Sequence, residues 1–327
     1  MKHRIFGPTG RRVSEVGLGC WQLGANWGAV SAADALATLT SAYESGVTFF
    51  DTADVYGDGR SEGLVGEFLR ETKANVFVAT KLGRRGDPGW PENFTREALR
   101  RHTEDSLRRL GVDALDLTQL HCVPFEVLRR GEVFETLRGL QREGKIKAFG
   151  ASVETVAEAL HCLEVPGLVS LQFIFNLFRQ KAVSELLPAV RAKGVAFVVR
   201  LPLASGLLAG RYTSATTFAP DDHRTFNRDG QAFNVGETFA GLPFAKGVEL
   251  ADELRPLVPP GMSMAEFALR WCLDHEAVTT VIPGARNPEQ ARGNLRASEL
   301  APLPPALQAQ LRRFYEEKVA AHIRGPY

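Results

Sequence analysis

Short apolar runs alternate with longer amphipathic stretches along almost the whole chain. Runs of four to seven residues rich in Val, Phe, Leu and Thr read as buried strands. They fall at 16–19, 48–51, 76–80, 115–120, 148–152, 169–173, 195–201 and 279–282. Between them, apolar residues recur at helical spacing over 33–43, from 61 onward, and over 95–110, 132–143, 155–163, 182–193, 245–258, 264–274 and 287–296. Ser31 offers an N-cap, and Gly111, Gly144 and Gly194 offer stops. Residues 305–320 read as a terminal helix. At the other end, Ile5–Phe6 and Arg12–Val13 flank a Gly-Pro-Thr-Gly turn and predict a short β-hairpin. Eight strands, each followed by a helix, call for a parallel sheet closed into a (β/α)8 TIM barrel, with an N-terminal hairpin and extra helices near the C-terminus. An open doubly wound sheet is the alternative, but no Gly-rich dinucleotide fingerprint follows the first strand. No linker divides the chain, so 1–327 is expected to be one domain.

Three successive strands stop on residues that handle protons. The stretch GVTFFDTADVYG ends its apolar run on Asp51 and carries Tyr56 in the loop beyond; VFVATK ends on Lys81, and ALDLTQLH on His121. Strand C-termini are where barrel enzymes build their sites. A second irregular stretch, 205–243, is long for a connection inside a compact fold and is expected to be either functional or disordered. Its Phe218, Phe226 and Phe233 are expected to pack it as a lid or to reach a neighbouring subunit.

Composition narrows the choice mainly by exclusion. Formal net charge is +1, with both signs interspersed, so neither a nucleic-acid footprint nor a membrane-binding basic stripe is expected. No window approaches the length of a membrane span, and the first residues lack the apolar core of a signal peptide. Cys20, Cys122, Cys162 and Cys272 form no CxxC pair and read as free core thiols of a reducing, cytoplasmic compartment rather than a metal site.

The motifs GVTFFDTADVYG, ATKLG, DLTQLH, FGAS, LQF, PLASGLLAGRY and IPGARNPEQARGN together closely resemble the aldo-keto reductase superfamily. The resemblance runs from GLGCWQLG to the last repeat helix. It implies a barrel plugged by a base hairpin and NADPH-dependent carbonyl reduction, with NADP preferred to NAD. The expected partner is a small-molecule carbonyl or alcohol, including a sugar-derived one, and the protein is expected to be a monomer or homo-oligomer.

Within that resemblance Tyr56 is the general acid/base. A free phenol titrates near ~10, and the Lys81 ammonium, oriented by Asp51, is expected to lower that value. His121 is expected to direct the carbonyl oxygen. Taken singly, each has a bland reading: a rim tyrosine, a structural ion pair, a hydrogen-bonded rim histidine. Ser152 and Gln172 match residues that bind the nicotinamide carboxamide, and Trp21 and Arg200 flank that end. Pro202, Leu203, Ser205, Gly206, Leu207, Gly210 and Arg211 match the loop over the pyrophosphate, where glycine lets backbone approach phosphate. Gly284, Arg286, Gln290 and Asn294 match the adenosine end. Arg286, just before a helix start, suits a 2′-phosphate.

Two positions depart from the family. Val153 replaces an Asn that also contacts the carboxamide, for which Asn176 is a candidate substitute. Arg200 stands where an aromatic ring usually stacks on the nicotinamide, adding positive charge beside a ring that is cationic when oxidised. Trp21, Trp27, Val55, Trp90 and Phe125 are expected around the substrate. Two other functions compete: a cofactor-binding regulatory subunit of a membrane channel with little turnover, and a Schiff-base aldolase or isomerase using Lys81. Against the latter, Asp51 should keep Lys81 charged.

Overall fold

A computed structural model describes every residue except 25, 26, 28 and 29. The hairpin comes first: β1 (His3–Ile5) pairs antiparallel with β2 (Arg12–Ser14). Eight parallel strands follow: β3 (Leu18–Gly19), β4 (Phe49–Asp51), β5 (Phe77–Leu82), β6 (Leu117–His121), β7 (Phe149–Ser152), β8 (Leu168–Ile174), β9 (Ala196–Arg200) and β10 (Val278–Val281). They pair in chain order, and bridges Val16–Val281 and Gly19–Gly284 join the two edges into a closed barrel. The TIM-barrel expectation therefore holds, with element ends shifted by a residue or two. The expected terminal helix is α-helical only over Pro305–Phe314 and widens into a π-turn at Tyr315–Val319.

Strand periodicity sorts the side chains. Phe50, Val78, Leu120, Phe149, Leu171 and Phe197 point outward and join the main core beneath the helices. The alternate positions point inward. Phe49, Phe77, Ala79, Leu117 and Val198 fill the lower barrel, and Phe6 and Val13 of the hairpin close it from below. Phe6 stacks on Phe49 at 5.3 Å and meets Phe77 at 5.0 Å. Further along the strands, the same inward columns end in Asp51, Lys81, His121, Ser152, Gln172 and Arg200, two residues beyond Phe49, Ala79 and Val198 and four beyond Leu117, because successive residues alternate faces. Register aligns them: Lys81 lies opposite Gln119, and His121, Ser152 and Gln172 lie side by side. The barrel is thus apolar below and polar at its C-terminal end.

The segment after β9 does not stay extended. It winds through short helical turns at Ala204–Ala209, His223–Phe226, Val235–Glu237 and Phe239–Gly241. Phe218 packs on Tyr212, Phe239 and Phe244, and Phe226 on Phe233. These aromatic contacts fold the segment onto its own barrel. Among the described residues, no helix is long and apolar enough to cross a membrane.

Candidate active site

Lys81 stands at the centre of the polar end and is fully buried. Its three ammonium hydrogens have three acceptors: Asp51 Oδ1 at 2.5 Å, the Thr52 carbonyl at 2.8 Å and the Tyr56 hydroxyl at 3.3 Å. A buried charge persists only when answered in this way. Tyr56 is delivered by a tight turn after β4. Gly57 has φ +61, and a Cβ there would lie 2.5 Å from the Gly24 carbonyl oxygen, so only glycine permits the approach. Trp21 stacks on the Tyr56 ring at 5.7 Å, and His121 meets its edge at 5.8 Å.

Burial dominates the titration of this cluster. It pushes Asp51 up, with the Lys81 charge pulling back. It works to lower Lys81, but Asp51 and Tyr56 outweigh it and hold the ammonium above its usual range. Tyr56 is raised, by burial first and by the charges of Asp51 and Glu237, while Lys81 opposes. This corrects the expectation of an acidified phenol: in the free protein the hydroxyl keeps its proton. His121 falls well below the ordinary imidazole value, through burial and then the charges of Arg84, Lys81 and Arg200. It is a neutral ring, and its Nδ1 has no partner among the described residues.

Ser152 and Gln172 are joined to this cluster rather than merely adjacent. Ser152 Oγ donates to Gln172 Oε1 at 3.3 Å, and Gln172 Nε2 donates to Asp51 Oδ2 at 2.7 Å. Asn176 does not fill the place of the missing Asn. Its Nδ2 donates to the Leu201 carbonyl and its Oδ1 accepts from Phe178 N, both at 2.9 Å, so the amide is spent on local backbone.

A groove of about 1230 Å³ runs from this cluster across the barrel mouth. Trp21, Trp27, Val55, Tyr56 and His121 wall one end; Arg286, Gln290 and Asn294 wall the other. Between them lie Arg200, Pro202, Leu203, Ser205, Gly206 and Arg211. Leu201, Ala204, Ser205 and Gly206 all have positive φ, a backbone form that turns successive N–H groups toward one point and suits an anion. Gly206 is obligatory: a Cβ would lie 2.2 Å from the Tyr212 hydroxyl oxygen.

Not every expected residue reaches the groove. Lys81 and Ser152 lie behind the wall, Leu207 is buried in the core, and Gly210 caps a turn. The Ser205 hydroxyl donates to the Glu237 carbonyl at 3.2 Å and accepts from Phe239 N at 3.1 Å, tying down the later turns. Gln290 accepts from Arg286 N through Oε1, and Asn294 donates to the Gly284 carbonyl. Trp90 is 60% exposed and Phe125 packs on His161, so neither joins the pocket.

Among the wall residues that escaped sequence reasoning, Arg84 and Glu237 form an ion pair. Arg84 grips Glu237 with both terminal nitrogens, at 2.6 and 3.2 Å, and Arg200 lies 3.4 Å from the same carboxylate. Burial opposes ionisation of Glu237, yet the two guanidiniums hold it at about 2. The positive charge expected from Arg200 thus arrives with its counter-ion. Arg84 lay three residues past Lys81, within reach of the motif; Glu237 sits in irregular chain with no local signal. Donor atoms of Cys122, Glu154 and Glu237 lie within 4.8 Å of one another. Arg84 already pairs with both carboxylates, so the cluster is an ion-pair network rather than a cation site. The Cys122 thiol lies in this network, and burial pushes it up to about 12.

The groove suits a nicotinamide dinucleotide on its own features. Its volume exceeds the roughly 300–1,000 Å³ of ordinary small-ligand clefts. Its wall carries four buried polar atoms without partners among the described residues, Gln22 Oε1, Trp27 Nε1, His121 Nδ1 and Arg200 Nε. Arginines 211, 286, 292 and 296 gather away from Tyr56, where phosphates would lie.

Similarity to known proteins agrees. The Bacillus subtilis (strain 168) protein called "Uncharacterized oxidoreductase YqkF" is 31% identical over 98% of this chain and 95% of its own. A "Probable voltage-gated potassium channel subunit beta" of Arabidopsis thaliana is 28% identical over 93% of each chain. Among solved structures, aldo-keto reductase AKR11C1 from Bacillus halodurans in its holo form superposes with a TM-score of 0.79 at 28% identity, over 96% of both chains. The sequence model of the Aldo/keto reductase family matches residues 15–316, and the chain therefore belongs to that family.

Proposed function

We propose that the chain is an NADP-dependent oxidoreductase that interconverts an aldehyde or ketone with its alcohol, working in the cytoplasm as a single barrel domain. The observation that carries this reading is the three-way bonding of Lys81 to Asp51, Thr52 and Tyr56 at the end of a dinucleotide-sized groove. A bound dihydronicotinamide supplies the hydride, which no side chain can. Tyr56 gives its hydroxyl proton to the carbonyl oxygen as that oxygen gains negative charge, and Lys81 steadies the phenolate left behind. His121, neutral, directs the oxygen by hydrogen bonding. A placed proton donor of this kind accounts for roughly a hundred- to ten-thousand-fold in rate. Trp21 and Trp27 keep water from the reacting end and favour an apolar or ring-bearing substrate. Arg286 meets the 2′-phosphate and sets the preference for NADP.

The decisive experiment follows NADPH absorbance with a panel of aromatic aldehydes, ketones and sugars, each repeated with NADH. Turnover above background with NADPH supports the reading. Tight cofactor binding without turnover of any carbonyl supports the second one, a regulatory subunit, which the channel-subunit relative raises. The Schiff-base reading is disfavoured because Asp51 holds Lys81 protonated and hence non-nucleophilic.

A further inference from the structure

The polar end of the barrel is one connected chain of hydrogen bonds. It starts at Ser152 Oγ, passes through Gln172 to Asp51 Oδ2, and continues from Asp51 Oδ1 through Lys81 to the Tyr56 hydroxyl. Ser152, Gln172, Asp51 and Lys81 are each at most 2% exposed. β4 and β8 are not neighbours in the sheet, so Gln172 reaches across the barrel interior to make its contact. Gln119 also points at Asp51 Oδ2, but at 3.5 Å it is the weaker donor.

We propose that Gln172 is a positioning residue for the proton donor: by holding Asp51 it governs how much of the Lys81 charge Tyr56 feels, and it ties the groove beside Ser152 to that hydroxyl. The proposal rests on the reading of Tyr56 as the proton donor. Its physical basis is that Asp51 divides its acceptance between Gln172 and Lys81. Without the Gln172 donor, Asp51 becomes a stronger acceptor in a dry interior, and it either draws the ammonium closer or takes a proton from it. Both outcomes leave less positive charge beside Tyr56 and make the phenol harder to ionise. An amide bound in the groove against Gln172 acts the other way, because hydrogen bonds in a chain polarise one another and Gln172 then donates more strongly. The charged and titratable groups facing Tyr56 are Lys81, Asp51, Glu237 and His121, and Asp51 in addition faces Cys20 and Arg200. Replacing Gln172 alters none of these directly except Asp51.

The test is a pH titration of the Tyr56 ring by NMR in protein carrying ring-labelled tyrosine. The chain has five tyrosines, and Tyr56→Phe assigns the signal. Wild type and Gln172→Met are titrated free and saturated with NADP+, with saturation checked by fluorescence quenching. In Gln172→Met the midpoint is expected to rise by about half a pH unit or more, and its response to NADP+ to shrink. A midpoint and a response equal to wild type overturn the proposal. If Gln172→Met does not fold, Ser152→Ala carries the test: it frees the Gln172 carbonyl, a smaller rise is expected, and no rise overturns the idea. Failure of the underlying reading looks different. There the wild-type ring ignores NADP+ and Tyr56→Phe still turns over carbonyls, which removes both claims together.

Discussion

Nζ of Lys81 lies 3.3 Å from the hydroxyl of Tyr56, although 25 residues separate them and they belong to different strand–loop units.

Tyr56→Phe removes the proposed proton donor and leaves the stacking surface for Trp21 in place. Reduction of any accepted carbonyl should fall by at least roughly a hundredfold. Cofactor affinity, read from quenching of tryptophan fluorescence, should change little. Retained turnover would count against the assigned role.

The raised phenol gives a signed pH dependence. Reduction needs the protonated hydroxyl, so its rate constant should stay level through neutrality and decline only as pH rises through the Tyr56 value, which lies above the usual 10.0. Alcohol oxidation needs the phenolate and should rise over that same alkaline range. Profiles of kcat/KM in the two directions check this; a reduction limb that falls below neutrality would exclude Tyr56 as its source.

Arg286→Ala should weaken NADPH far more than NADH, because only the former carries a 2′-phosphate for a guanidinium to grip. Dissociation constants for both cofactors decide it. Equal losses would move the phosphate elsewhere along the arginine-rich end.

Glu237 pairs with Arg200, which the proposed function puts at the nicotinamide end. Glu237→Gln should leave Arg200 uncompensated and penalise the oxidised, cationic ring, shifting the ratio of oxidised to reduced cofactor affinity by about threefold or more toward the reduced form. Arg200→Trp should shift it the opposite way. An unchanged ratio in both variants would remove electrostatics at this position from the account.

Asp54 is fully buried, and neither carboxylate oxygen has a partner among the described residues. Burial, then the charge of Glu62, pushes it up to about 8 from 3.8. The folded state therefore keeps a proton that the unfolded chain has released. The stabilising contribution is complete below the unfolded value and is lost as pH rises through about 8. Asp54→Asn removes this dependence, so its stability relative to wild type should improve by more than about 1 kcal/mol between acid and mildly alkaline pH. Urea midpoints at the two pH values measure it, and a constant difference between the proteins would refute it.

Local pattern alone missed the short helices Trp21–Gly24, Phe125–Arg130 and His223–Phe226 but carried the eight barrel strands and the helix that follows each, the plugging hairpin and the strand-end acids and bases. These follow from periods of 2 and 3.6 and from where each apolar run stops. Asp51, Lys81, His121, Ser152, Gln172 and Arg200 were all legible because each ends or nearly ends a run, and closing the barrel turns run ends into one ring. The hydroxyl of Tyr56 could be placed in the loop but not charged correctly. Its protonation depends first on how far the fold desolvates the hydroxyl, and then in part on Glu237, neither of which leaves a trace in neighbouring residues. Glu237, Arg84 and the Gln172–Asp51 contact belong to the folded molecule alone. They join strands and turns as far as 153 residues apart, and no spacing rule spans a barrel interior or the return of an irregular segment across its mouth.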